Sequence, residues 1–167
     1  MKNFKCSCGS PIFFEDTICK CCEFTLGFEI NSMEMRCVKE DGQKLVDTKS
    51  RKTYKKCKNW SEFNVCNWLV ESDSKEELCF GCLFNRTVPN QSVENIPANN
   101  LRWLRLEQAK KRLIFSLMQM QLPLENGWNS NSKGLLFDFI ESLDDKIVTT
   151  GYTCLLYTSD AADDGVG

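Results

Sequence analysis

The chain has 167 residues, enough for one medium domain or two small ones with modest cores. It contains no histidine, which excludes Ser-His-Asp and Cys-His nucleophile pairs, histidine-ligated metal sites and the HExxH zinc-protease motif. Its 21 basic and 23 acidic residues leave a formal charge of −2, so no overall field draws it to nucleic acid or anionic membrane, while eleven cysteines call for a sulfur-only metal framework or a disulfide framework.

The start, Met1-Lys2-Asn3-Phe4-Lys5-Cys6, lacks the apolar stretch of a signal peptide, and no run of about 18 apolar residues offers a membrane span. These features predict a cytoplasmic, thiol-reducing setting and no membrane partner. In such a setting clustered cysteines are more often metal ligands than disulfides.

Ten cysteines lie in the first 82 residues. The first group reads Cys6-Ser7-Cys8-Gly9, then Cys19-Lys20-Cys21-Cys22, which is the grammar of a zinc ribbon: two turns face one another and each delivers two thiolates. Gly9 suits a knuckle turn that needs positive φ, and Ile12-Phe13-Phe14 is a β-prone run for one arm of a hairpin. Cys21 and Cys22 compete for the fourth ligand position, and spacing favours Cys22. The second group is Cys57, Cys66 and Cys79-Phe80-Gly81-Cys82. Only its last pair has knuckle spacing; Cys57 and Cys66 must be brought together by folding of the segment from Trp60 to Val65. Cys21 and Cys37 are left over as core fillers or spares. A dithiol redox protein would place its CxxC between a strand and a helix, and a secreted disulfide scaffold would carry an export signal; the sequence has neither pattern. Zinc is the remaining reading, with Cys6, Cys8, Cys19 and Cys22 holding one ion and Cys57, Cys66, Cys79 and Cys82 a second.

Farther along, Ala98-Asn99-Asn100 offers an N-cap and Leu101 through Gln121 reads as one helix ended by Pro123, with Leu106, Leu113, Leu117 and Met120 as its apolar face and Trp103 on the buried side. Arg102, Arg105, Lys110, Lys111 and Arg112 make that helix basic; with Glu107 interleaved and no aromatic platform, they read as a solvated face rather than a nucleic-acid surface. Residues 124–133 form a polar loop, Leu135 to Ile140 reads as a second short helix, and Ile147 to Thr149 as the start of a strand. The expected class is α+β: a small zinc ribbon of short β-hairpins over residues 1–30, a second zinc-binding block with four ligand cysteines over 31–90, and a helical segment over 98–153.

From Cys154 the chain loses periodicity, and Leu155 to Asp163 coincide with the translation of a transposase adaptor used in sequencing libraries. Residues 154–167 are therefore expected to be an adaptor scar, and the chain to be an amino-terminal fragment. Without Asp160, Asp163 and Asp164 the balance is 21 basic against 20 acidic residues.

Several sequence words carry a family resemblance. Phe4-x-Cys6, Cys8-Gly9, Phe13-Phe14-Glu15, Cys19-x-x-Cys22 and Leu26-Gly27-Phe28, followed by Tyr54-x-x-Cys57, Cys66-Asn67-Trp68-Leu69-Val70, Leu78-Cys79-x-x-Cys82 and Arg86-Thr87-Val88-Pro89, resemble the amino-terminal zinc-ribbon region of the bacterial putative zinc-binding metallopeptidase family. Trp103, Leu106-Glu107, Ala109-Lys110-Lys111-Arg112-Leu113, Leu122-Pro123 and Leu135-x-Phe137-Asp138-Phe139 look like its helical segment. Two departures stand out: Glu23 follows Cys22 where the family usually has glycine, and Thr150-Gly151-Tyr152 replaces its Thr-Gly-His. The resemblance implies a catalytic His-Glu-x-x-His stretch beyond residue 153, acting on a peptide, with this chain inactive alone. The alternative is a self-contained zinc-ribbon module that binds a protein or nucleic acid.

Overall fold

The computed structural model describes residues 3–42, 44–91, 96–128, 134–139 and 149–152. The expected tail from Cys154 and the first residues of the expected strand, Ile147 and Val148, lie outside them.

The first hairpin is short. Strands β1 (Phe4–Lys5) and β2 (Pro11–Ile12) pair antiparallel, with Phe4 opposite Ile12. A five-stranded antiparallel meander follows in the order β3 (Thr25–Glu29), β4 (Glu34–Asp41), β5 (Lys44–Asp47), β6 (Thr53–Lys56) and β7 (Leu69–Glu71). Its two ends curl towards each other until Phe28 donates its N–H to Asn67 O at 2.9 Å. That approach needs Gly27, because a Cβ there would sit 2.7 Å from the Leu69 side chain. Between β6 and β7 lies the short helix α1 (Lys58–Ser61), and after β7 a 3-10 helix (Phe80–Phe84) leads into β8 (Asn85–Thr87).

The helix α2 (Ile96–Gln119) crosses these elements and packs on the 3-10 helix. It starts earlier than its sequence signals suggest: Asn99 lies inside it, and its side-chain amide donates to Asn90 O at 3.0 Å instead of capping a first turn at Leu101. Its buried side also differs from the expected one. Trp103, Glu107, Lys110, Lys111, Ile114 and Phe115 face inward, whereas Leu113 and Met120 are 46% and 60% exposed. The inward residues recur at intervals of three and four, so they form a true helical stripe, but two lysines and a glutamate occupy it. The basic residues are therefore not one solvated face. Lys110 and Lys111 are buried, and Arg112 reaches Glu15 in the ribbon.

The run from Leu135 is a strand, not a helix. β9 (Leu136–Phe139) pairs parallel with β8 and antiparallel with β10 (Thr149–Tyr152). Alternation decides it: Phe137 and Phe139 share a face, their rings stacked at 6.3 Å over the Lys110 ammonium, while Asp138 is turned to Arg86 and Thr87 on β8. The exposed edge of β8 supplied hydrogen-bonding partners that a six-residue run cannot announce.

One aromatic cluster ties the parts together. Phe28 on β3 lies against Phe14 and Phe4 of the ribbon, Trp68 of the second block and Phe115 of α2, with ring centroids 5.0, 6.5, 4.7 and 5.6 Å away respectively. The fold is thus α+β, mostly strands with one long helix. No helix among the described residues is long and apolar enough to cross a membrane.

Candidate metal centres

The first centre is built from two knuckles. Cys6 and Cys8 flank a turn closed by Gly9 N–H to Cys6 O at 2.9 Å, with Gly9 at φ +91°. Cys19 and Cys22 flank the other, closed by Glu23 N–H to Cys19 O at 2.8 Å. Glu23 takes φ +58°, the left-handed conformation that glycine fills at low cost. The turn therefore keeps its shape without its usual residue, and Cys22, not Cys21, joins the quartet. The sulfurs of Cys6, Cys8, Cys19 and Cys22 all lie within 4.8 Å of one another, Cys6 to Cys22 at 3.4 Å and Cys8 to Cys19 at 3.8 Å. Cys21 points to solvent.

The second centre is more deeply set. Cys57 precedes the first turn of α1, and the loop after that helix turns back through Asn64 at φ +55°, with Val65 N–H bonded to Asn59 O at 3.1 Å. This brings Cys66 beside Cys57. Cys79 precedes the 3-10 helix and Cys82 lies within it; the Cys79 carbonyl accepts the Cys82 and Leu83 amides at 2.9 and 3.1 Å. Gly81 permits the helix to lie on Trp68, whose ring is 3.3 Å from where a Cβ would be. All four cysteines are buried, and their sulfurs lie within 4.8 Å of one another. Backbone amides are aimed at sulfur: Cys79 N–H to Cys57 Sγ at 3.3 Å and Trp68 N–H to Cys66 Sγ at 3.4 Å.

The donor sets fit zinc. A tetrahedral ion with zinc–sulfur bonds of about 2.3 Å has sulfur–sulfur edges of about 3.8 Å. The edges here include 3.4 Å (Cys6–Cys22) and 3.8 Å (Cys8–Cys19) in the first quartet and 3.6 Å (Cys66–Cys79) and 3.8 Å (Cys82–Cys66) in the second, and none exceeds 4.8 Å. Packing four thiols so closely makes their ionisation mutually costly, which a dication relieves. The thiols show that tension. In the first centre hydrogen bonds from the Ser10 side chain and backbone hold Cys8 down at about 6. In the second, burial resists ionisation of Cys66, yet hydrogen bonds from Cys57, Cys79 and Cys82 and the charge of Lys111 hold it well below the ordinary thiol value, while burial and the neighbouring thiols push Cys79 well above it. Both quartets can bind zinc, and each supplies four thiolates that fill a tetrahedron.

Two features escaped the sequence. Cys37, on β4, places its sulfur 3.3 Å from Cys6 Sγ and accepts the Ser7 N–H at 3.1 Å, so a fifth thiol adjoins the first centre. Lys111 lies buried with its ammonium on the carbonyl of Val65, next to Cys66, and Glu107 is buried one turn earlier on the same helix; their spacing of four along the inward side of α2 was the available signal.

Comparison with known families gives the arrangement a context. Residues 3–93 match a zinc-ribbon domain, a span that contains both quartets. The chain belongs to this zinc-ribbon family. Residues 99–163 match the putative zinc-binding metallo-peptidase family, so the resemblance drawn from the sequence words holds for the helical segment as well. Three uncharacterized mycobacterial proteins, two from Mycobacterium tuberculosis and one from Mycobacterium bovis, are each 31% identical over 164 residues, or 98% of this chain. The chain spans 44% of the length of these relatives. No solved structure matches it.

Proposed function

We propose that the two quartets hold structural zinc and that this chain is the metal-stapled amino-terminal part of a metallopeptidase-like protein, itself without hydrolytic activity. The observation that carries this reading is the pairing of two closed, all-thiolate quartets with a following segment that matches a zinc-binding peptidase family. Zinc at either quartet supplies a cross-link between loops rather than an activated water, since four thiolates leave no position for one. The chain's own residues do the rest: left-handed turns at Gly9, Glu23 and Asn64 aim the thiols, and the amides of Trp68 and Cys79 satisfy their spare charge. A reducing cytoplasm is the compartment in which eight ligand thiols survive. For a longer protein of this family, a peptide is the substrate class the match supports.

Elemental analysis of the purified chain should find two zinc per molecule, and a mixed peptide pool incubated with it should stay intact. One zinc or none, or cleavage that disappears in a Cys66→Ser variant, would overturn this reading. The alternative of a nucleic-acid module draws less support, because Lys110 and Lys111 are withdrawn from the helix surface. Salt-sensitive binding to RNA or DNA would revive it.

A further inference from the structure

The second centre poses a charge problem that the first does not. Zinc with four thiolates carries a net double negative charge, and here it would sit where every ligand is buried, whereas Cys8 of the first centre is open to water. Amide donors meet part of that charge. A further charged group comes from α2. Lys111 is 3% exposed, and its ammonium donates to Val65 O at 3.3 Å, the carbonyl of the residue just before Cys66. The nearby carboxylate, Glu107, is already engaged: Lys110 Nζ lies 2.9 Å from its Oε1, which also accepts from Trp103 Nε1 at 3.1 Å and from the Asn85 amide. Among the described residues, no carboxylate forms an ion pair with Lys111. A buried ammonium without a carboxylate is costly unless another anion compensates it.

We infer that Lys111 is the counter-ion of the second tetrathiolate centre, so that zinc there and the docking of α2 stabilise each other. The inference rests on zinc occupying that quartet. Glu107 pairs with Lys110, so its charge is shared, and the thiolates supply most of the compensation at Lys111. The electrostatics agree: burial alone would lower the Lys111 pKa, but the Cys66 and Cys82 sulfurs, with Glu107 and Cys79, raise it instead. The arrangement also explains why two lysines occupy the inward stripe of a helix that could have been apolar. Lys111 touches no reacting group; it is a positioning residue that joins the ribbon region to the first helix of the peptidase-like segment.

The test compares the full chain with Lys111→Met, which keeps the stem and removes the charge, and with Lys111→Arg, which keeps the charge. Zinc affinity is read by competition with a chromogenic chelator, and each centre is followed separately by the cadmium resonance of the cadmium-substituted protein. Lys111→Met should weaken the second centre about 10–100-fold, as loss of an outer-sphere partner does, and shift only that centre's resonance. Lys111→Arg should restore affinity to within a few-fold. If Lys111→Met does not load zinc at the second centre while Lys111→Arg does, the charge is required and the inference stands. Equal affinities in all three proteins, or equal loss in both variants, would overturn it. A wild-type chain with no zinc at the second centre would refute the functional proposal itself, a result separable from any variant effect.

Discussion

Replacing Phe28 with alanine tests whether the aromatic cluster, and not metal binding alone, unites the regions that carry the two cysteine quartets. Phe28 is fully buried and has four aromatic neighbours from three different parts of the chain, at 4.7 to 6.5 Å between centroids. Truncation of a buried phenylalanine costs about 3–5 kcal/mol, and the cost rises when the surroundings cannot collapse into the cavity. Here collapse is restrained on both sides: Phe14 and Phe4 belong to a ribbon held by its knuckles, and Trp68 is pinned between Gly81 and the Phe28–Asn67 bridge. The expected loss is therefore about 4–5 kcal/mol, a large part of the roughly 5–15 kcal/mol available to a domain. Urea unfolding at fixed free zinc, followed by tryptophan fluorescence, measures it. Phe13→Ala is the control, since Phe13 is 70% exposed and its loss should stay within about 0.5 kcal/mol. A Phe28→Ala cost below about 2 kcal/mol, or a Phe13 cost of similar size, would refute the idea that one cluster holds the regions together.

Glu23→Gly relieves a left-handed backbone and should raise stability by about 1 kcal/mol, seen as a higher urea midpoint; an unchanged or lower midpoint would mean the turn carries no strain. Cys22→Ser should drop zinc content to one per chain, whereas Cys21→Ser and Cys37→Ser should leave it at two; loss of zinc with Cys37→Ser would make that buried thiol a ligand in place of one of the quartet. Removing Glu107 by Glu107→Ala strands the buried Lys110 ammonium, so a loss of about 3–5 kcal/mol is expected in the same unfolding assay, and a loss under about 1 kcal/mol would show that water reaches it. A strong chelator should extract zinc in two phases, the first centre emptying first because Cys8 is exposed and Cys22 half-buried, while the four second-centre ligands are buried; variants lacking one quartet assign the phases, and the reverse order would refute the argument from burial.

The two cysteine quartets were legible in the sequence because a zinc knuckle is a local object. Two thiolates must issue from one tight turn, so their spacing and the residue after them are constrained within a few positions, as Cys8-Gly9 and Cys79 to Cys82 show. Glu23 marks the limit of such reading: standing where the family usually has glycine, it left the choice between Cys21 and Cys22 to spacing, and the backbone adopts the left-handed conformation regardless. What depended on distant contacts was decided only by the folded chain. The run from Leu135 suits a helix or a strand equally, and the free edge of β8 with Arg86 aimed at Asp138 makes Leu136–Phe139 a strand. Cys37 looks like a filler until the β3–β4 register carries it to Cys6. Lysine in a sequence argues for solvent, since burying a lone ammonium is costly; at Lys111 the compensating charge comes chiefly from Cys66 and Cys82, far away in the chain, and only the tertiary structure brings it to the helix face.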